Sequence, residues 1–331
     1  MSTRPPSPKK VSLADVAANA GVSTNTVSRV VRGDPEVADA TRARISALLD
    51  EMGYRPNYAA RALASKKTGV LHVLLAAPMF HGHGRVLLSV LNAGSEAGYH
   101  VSLSNAYRPD GALHTQVAPF DVDGVVILAG QDPSVELAIE IGKRIPTCLL
   151  LSSEKNLEGI STASIDNVRG SRLAAEHLLR QGVSDIVHIA GPRNWSDAVM
   201  RRQGFTRACE EAGVEGQVIE SFSWNAHDGY DAMRSLSHLP QALQCANDQL
   251  ALGAMRLIHE RGAKVPEDVR VVGFDDVDGA DCYTPPLTTI RQPFDRLGRT
   301  GVRLVRSLME GGRAEDVTID PELVIRASST L

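Results

Sequence analysis

The chain has 331 residues, a formal charge of −4, and 43% hydrophobic against 22% charged residues, which supports a packed core, excludes wholesale disorder and suggests about two domains. No apolar run approaches the ~20 residues of a membrane helix, and the charged, proline-rich start MSTRPPSPKK does not read as a secretory signal. Cys148, Cys209, Cys245 and Cys282 lie too far apart for a CxxC zinc spacing or a disulfide framework, so a reduced, cytoplasmic protein without membrane contact is expected.

Charge is uneven along the chain. Eleven basic and six acidic side chains through Thr68 give +5, leaving −9 for the remainder. That asymmetry suggests a polyanion-binding module attached to something else, with a merely solvated basic surface as the alternative. The first elements are short helices. Ser12 and Asp15 have capping-box spacing before Leu13, Val16, Ala17 and Ala20, and Gly21 interrupts. Ser23 can cap a second helix from Thr24 to Val31, ended by Gly33-Asp34-Pro35. A third runs from about Asp39 to Met52, with Ile45, Leu48, Leu49 and Met52 on one face, and Gly53 stops it. Two helices joined through a glycine turn and braced by a third make the helix-turn-helix plan. Val16, Ala17, Val22, Val27 and Val30 are its expected core. Thr24, Asn25, Ser28 and Arg29 are left on the outer face of helix two, as groups suited to bases and phosphates.

The run from Val11 to Gly69, VSLADVAANAGVSTNTVSRVVRGDPEVADATRARISALLDEMGYRPNYAARALASKKTG, resembles the headpiece of the LacI/GalR bacterial repressors. The resemblance implies that Thr24, Asn25 and Arg29 read bases, and that Ser12, Ser28, Thr41, Tyr54 and Asn57 position the DNA backbone. Asn57 to Ala64 allows about two helical turns, too short to be stable alone in water. The resemblance makes this a hinge helix that folds on operator DNA, with Ala60 and Leu63 at the minor groove. An apolar wedge at a base step is sound physics; packing of Leu63 on the next domain is the alternative.

From Val70 the pattern changes. VLHVLLAA is a continuous apolar run, as expected of a buried parallel strand. A helix over about 85–97 follows, then strand 99–104, helical 110–118, strand 124–129, helix 133–143 and strand 146–151. A second block repeats the alternation: helix 168–181, strand 185–190, helix 197–212, strand 217–221, helix 227–237, strand 241–245, helix 248–261 and strand 269–273, with a last strand at 323–327. The expected fold is therefore a small all-α helix-turn-helix headpiece followed by a two-lobed, periplasmic-binding-protein-like α/β domain with doubly wound parallel sheets. The expected division is a tail at 1–10, the helix-turn-helix domain at 11–56, a hinge at 57–68 and the effector domain at 69–331. The resemblance places an N-lobe at about 69–164 and 293–320, and a C-lobe at about 165–292 and 321–331.

A cleft between two lobes favours a small ligand. The stretch 245–307, with its N-D-Q turn and its VVGFDD and TTIRQPF motifs, resembles the same family closely, as does RRQGF. By motif, Arg201, Trp224, Asn247, Asp275 and Phe294 line the family's sugar pocket. Phe80, His81 and His83 follow the first strand and are expected to face the ligand from the other lobe. Arg201, Asn247 and Asp275 suit the hydroxyls of a polyol, and Trp224 and Phe294 suit a sugar's C–H face. The alternatives are capping for Asn247 and Asp275, core packing for Trp224 and Phe294, and an interlobe ion pair for Arg201. In CLLLSS, Ser152 stands at or near a position where the family pattern has an aspartate, so a carboxylate acceptor is lost there and the sugar need not be a galactoside.

Other signals are weak. His81 and His83 lack a third metal ligand at useful spacing. Gly82-His83-Gly84 lacks the rest of a dinucleotide fingerprint, and Asp275-Asp276 has no nucleophile or base motif nearby. No metal, cofactor or catalytic residue is expected, and the chain does not read as an enzyme. The expectation is a bacterial, nucleoid-associated repressor, homodimeric on a pseudo-palindromic operator and controlled, by induction, through a small sugar. The dimer surface is expected around Leu252, Met255 and Tyr283, and no leucine-heptad tail follows the last strand. A transport solute-binding protein and a Rossmann-type enzyme are the competing readings; steeply salt-dependent DNA binding would separate them.

Overall fold

The computed structural model describes residues 11–31, 34–54, 67–108, 112–114, 121–131, 133–150 and 157–330. The chain divides into two units, residues 1–68 and 69–331. Asn57, Ala60, Leu63 and Ser152 lie outside the described residues.

The first unit holds three helices, α1 (Leu13–Ala20), α2 (Thr24–Val31) and α3 (Asp39–Glu51). The Ser12 hydroxyl accepts from the Asp15 amide at 3.2 Å while the Asp15 carboxylate takes the Ser12 amide at 2.9 Å, so the capping box closes in both directions. Gly21, at φ +62°, makes the tight exit from α1 that a side chain would resist. The Ser23 hydroxyl accepts from the Thr26 amide at 3.1 Å and opens α2. Val16, Ala17, Ala20, Val27, Val30, Val37 and Ile45 form the core; Val22, Leu48 and Leu49 pack around it.

The second unit contains two six-stranded sheets. The first comprises β1 (Val70–Ala76), β2 (His100–Asn105), β3 (Gly124–Ala129), β4 (Thr147–Leu150), β5 (Ser161–Ile165) and β11 (Asp316–Ile319), in the order β11-β5-β4-β3-β1-β2. The second comprises β6 (Ile186–Ala190), β7 (Gly216–Glu220), β8 (Ala242–Cys245), β9 (Arg270–Asp275), β10 (Thr288–Arg291) and β12 (Glu322–Val324), in the order β12-β10-β9-β8-β6-β7. Pairing is parallel except between β10 and β12. β1 is flanked by β2 and β3 and buried from Leu71 to Ala76, which is why its sequence is apolar without alternation.

Helices α4 (His81–Glu96), α5 (Pro133–Gly142) and α10 (Phe294–Met309) clothe the first sheet; α6 (Asn167–Leu179), α7 (Ser196–Ala212), α8 (Ala226–Arg234) and α9 (Asp248–Glu260) clothe the second. The chain passes between the sheets at Asp166, at Gln292–Pro293 and at Asp320–Pro321. Two of these crossings touch, the Asp166 amide donating to the Ile319 carbonyl at 3.0 Å.

Two elements differ from the sequence-based expectation. Helix α4 begins at His81, not near 85, and so runs through Gly82 and Gly84. A Cβ at position 82 would lie 2.9 Å from the Phe294 ring, so packing against α10 selects glycine where propensity alone argues against helix. The expected helix over 110–118 is not seen among its described residues. Leu113 instead bridges antiparallel to Tyr107, with the Arg108 amide donating to Ala112 and the His114 amide to Ala106. Pro109, Asp110 and Gly111 lie outside the described residues; as residue types they disfavour the start of a helix.

Candidate functional sites

On the first unit, α2 presents Thr24 and Asn25 as exposed side chains, with Ser28 and Arg29 half-buried beside them. Arg29 is not a free donor. Its Nε donates to Asp34 Oδ2 at 2.8 Å and its Nη2 to Glu36 Oε2 at 2.6 Å. The hydrogen bond and charge of Asp34, then those of Glu36, raise the guanidinium's pKa. Ser12 spends its hydroxyl on the α1 cap, donating to Asp15 Oδ2 at 2.7 Å. Thr41 is half-buried in the first turn of α3, and the Tyr54 ring packs on the core. Sequence reasoning missed Asp34 and Glu36, although acids five and seven residues beyond Arg29, across a Pro-containing turn, were a readable signal. Arg42, which donates to the Asp34 and Val37 carbonyls, and Arg44, which donates to Ala20 O at the end of α1, were also missed.

In the second unit, the loops at the carboxyl ends of β1, β3, β6, β7, β8 and β9 converge. This is where an open parallel sheet offers a ligand crevice, and the two lobes set their crevices face to face. The resulting cavity, of about 230 Å³, is lined by Phe80, His81 and His83 from one lobe, by Trp195, Asp197, Arg201, Trp224, Asn247 and Asp275 from the other, and by Gln292 and Phe294 at a crossing. All the sequence-predicted effector residues within the described chain therefore meet in one place.

Its floor is polar. Arg201, 4% exposed, donates from Nε to Asn167 Oδ1 at 2.7 Å and from Nη1 to the Ala246 carbonyl at 2.5 Å. Nη1 also lies 3.5 Å from Asp275 Oδ1, and Nη2 lies 3.9 Å from Asp197 Oδ2. The guanidinium carbon sits 3.8 Å over the Phe274 ring. The ion pair lies within one lobe, not between lobes as the alternative had it. Asp275 also accepts from Gln292 Nε2 at 2.5 Å. Burial raises its pKa, against the opposing charge of Arg201. It stands at φ +113° and Asp276 at +55°, conformations that cost side-chain residues energy and must be held by their surroundings.

Asp248, which the sequence did not single out, is one of the holders. Its carboxylate accepts from the Val277 amide at 2.9 Å and from the Thr289 hydroxyl at 2.5 Å. Burial and the neighbouring charge of Asp275 push it up to about 8. Arg291 and Arg326, each 2.7 Å from Asp276, hold the other end of the strained pair. Asn247 does cap α9, accepting from the Leu250 amide at 2.8 Å and donating to Trp224 O at 3.0 Å. Capping and cleft lining thus coexist in one side chain.

The cleft's wall is aromatic. Trp195, not singled out from sequence, stands edge-on 5.4 Å from Phe80, 5.8 Å from His83 and 5.9 Å from Trp224. Its ring occupies the space a side chain at Gly130 of the opposite lobe would need. Trp224 is 7% exposed and its Nε1–H has no partner among the described residues. His83 Nε2 lies 3.3 Å from the Ala129 carbonyl. Because a carbonyl only accepts, Nε2 carries the proton and Nδ1 is left as an acceptor with no partner among the described residues. Burial lowers the His83 pKa, which keeps the ring neutral. His81 is exposed at the rim, 6.3 Å from the Phe294 ring.

Among the expected dimer residues, Leu252 is 42% exposed on α9. Met255 is 7% exposed and packs in its own lobe's core, so little of it is left for a partner. Tyr283 is half-buried, its hydroxyl donating to the Asp248 carbonyl at 3.3 Å. No cluster of three or more metal-ligating side chains occurs among the described residues, and no described helix is long and apolar enough to cross a membrane.

Residues 12–57 match the family model described as bacterial regulatory proteins, lacI family, and residues 175–329 match the periplasmic binding protein-like domain. The chain is 32% identical over 332 residues to the lactose operon repressor of Escherichia coli (strain K12), covering 98% of this chain and 91% of that protein. Among solved structures it resembles the lac repressor dimer bound to operator and the anti-inducer ONPF, with a TM-score of 0.83 and 30% identity over 98% of this chain and 100% of that one. It also resembles a complex of the transcriptional regulator CelR with cellobiose, with a TM-score of 0.70 and 30% identity over 96% of this chain and 100% of that one.

Proposed function

Because this chain belongs to the LacI family of bacterial regulatory proteins, as a ligand-regulated, DNA-binding transcriptional repressor, we propose that it binds a pseudo-palindromic operator as a homodimer and releases it when a small sugar occupies the cleft of residues 69–331. The observation that carries the ligand class is the pairing of faces in that cleft. Trp224 and Phe294 offer apolar surface to a ring's C–H side. The Arg201–Asp275–Gln292 floor offers charged and amide groups to adjacent hydroxyls, and such a site rejects analogues that lack them. A volume of about 230 Å³ falls below the ~300–1,000 Å³ of drug-sized pockets, which favours a small ligand. The structural neighbour with cellobiose supports the same class.

On the DNA side, Thr24, Asn25 and Arg29 are the proposed base readers. Ser12, Ser28, Thr41, Tyr54 and Asn57 would position the backbone. Ala60 and Leu63 would enter the minor groove. Leu252 and Tyr283 remain in the proposed dimer surface. A sugar shifts the equilibrium only by binding one lobe arrangement better than the other, and operator must then weaken sugar binding by the same factor. The test is selection of duplexes from a random pool by the full chain, repeated with a panel of mono- and disaccharides. A palindrome lost with one sugar supports the reading. A palindrome recovered only with ligand reverses the sign to co-repression, and none under any condition overturns it.

A further inference from the structure

Arg29 sits in the last turn of α2, and the segment joining α2 to α3 returns two carboxylates to it. They occupy one edge of the guanidinium, Asp34 on Nε and Glu36 on Nη2. The two acids are held differently. Asp34 is 28% exposed; its second oxygen accepts from the Glu36 amide at 3.0 Å, and its carbonyl accepts from Arg42 Nη2 at 2.6 Å. Glu36 is 81% exposed and reaches Arg29 from solvent. Asp34 is thus part of the turn, and Glu36 is a replaceable acceptor.

The acceptors that DNA offers an arginine are of two kinds. A phosphate is present at every step of any sequence, whereas the O6/N7 edge of guanine accepts two bonds at one position. The two acids hold two of the five guanidinium N–H groups, so a DNA acceptor either displaces Glu36 from the Nε–Nη2 edge or uses the Nη1–Nη2 end with the Glu36 carboxylate beside it. A phosphate is an anion, so the Glu36 carboxylate opposes it by either route. A guanine edge in register is neutral and is opposed less, it accepts two bonds from the Nη1–Nη2 end, and Asp34 on Nε has already aimed the group. We propose that Glu36 is an internal competitor for Arg29, which lowers affinity for DNA lacking the correct base, while Asp34 is the positioning residue that aims the guanidinium. The inference rests on the reading of Arg29 as a base-contacting side chain.

The test compares the full-length wild type with Glu36→Gln, Arg29→Met and the double variant, after equal melting curves have been established. Binding is measured by anisotropy to a random-sequence duplex and to the duplex recovered by selection, across a series of NaCl concentrations. Asp50→Asn, an exposed acid on α3, reports the general effect of removing one negative charge. An exposed ion pair of this kind is worth roughly 1.5- to 5-fold in an equilibrium. Glu36→Gln is therefore expected to tighten random-duplex binding about 2- to 5-fold beyond Asp50→Asn, and to narrow the ratio of selected to random affinity. The gain should vanish in the Arg29→Met background and shrink as salt rises. An equal gain with and without Arg29 means bulk charge, not competition, and overturns the proposal, as does no gain at all. Should Arg29→Met alone leave the selected-to-random ratio unchanged, Arg29 does not read bases, and the underlying reading falls with it.

Discussion

The two binding regions of this chain hold their arginines in opposite ways. Arg29 is paired with carboxylates that are 28% and 81% exposed. Arg201 is 4% exposed, and it is tied to an amide, a carbonyl and an aspartate and stacked on a ring. An exposed pair can be exchanged for a DNA acceptor at small cost and is screened by salt. A buried one cannot be exchanged, because its partners would be left charged or unpaired. The headpiece arginine is therefore built for substitution of partners, and the cleft arginine for fixing the groups around it. Mutation and titration should separate these two modes.

The largest effect is expected at the support of the cleft floor. Asp248 is raised to about 8 from an unfolded value near 4, so between those limits the folded state holds a proton that the unfolded state has released. Stability should accordingly fall as pH rises from about 4 to 8, by roughly 5 kcal/mol at ~1.4 kcal/mol per unit. Asp248→Asn, whose amide can still accept from Val277 and donate to Thr289, should flatten that slope in thermal melts of the full chain. An unchanged slope would place the titration elsewhere. Next comes Arg201→Met, which leaves Asp275 buried without its cation and should cost ~3–5 kcal/mol in urea unfolding. A loss below 1 kcal/mol would mean that the floor is not a unit.

A smaller, selective loss is expected at the headpiece. Arg29→Ala should remove ~1–3 kcal/mol of discrimination per half-site while sugar affinity, measured by calorimetry, stays at the wild-type value. Equal preference for selected and random DNA in wild type and variant would contradict it.

What could be read from the sequence was local. The Ser12–Asp15 capping box, the apolar run of β1 and the motif around Arg201 each lie within a few residues, and each appears where its spacing predicts. What escaped was assembled over long separations. Arg201 reaches Asn167 and Asp275, 34 and 74 positions away. Trp195 matters because its ring lies against a glycine of the other lobe. Gly82 at the start of α4 misled because its reason is Phe294, far along the chain. The exception is local: the residue types Pro109, Asp110 and Gly111 argue against a helix over 110–118, although the apolar spacing there suggests one.

The finest distinction concerns Trp224, which combines both modes in one side chain. Its ring is packed as tightly as core, 7% exposed and 5.9 Å from Trp195, yet its Nε1–H has no partner among the described residues. A buried donor without a partner is a cost to the ligand-free protein that a ligand's acceptor would remove. Trp224→Phe keeps most of the apolar face and deletes the donor. If the indole N–H serves the ligand, the variant should bind the cognate sugar roughly 5- to 10-fold more weakly, matching ~1–1.4 kcal/mol for a neutral hydrogen bond. It should lose little stability without ligand, because the smaller ring is offset by the missing unpaired donor. Calorimetric titration paired with melting curves separates the outcomes. Weakened binding at nearly unchanged stability assigns the N–H to recognition. A stability loss of ~2 kcal/mol or more with binding intact assigns Trp224 to the core alone, and leaves the polar floor to choose the ligand without it.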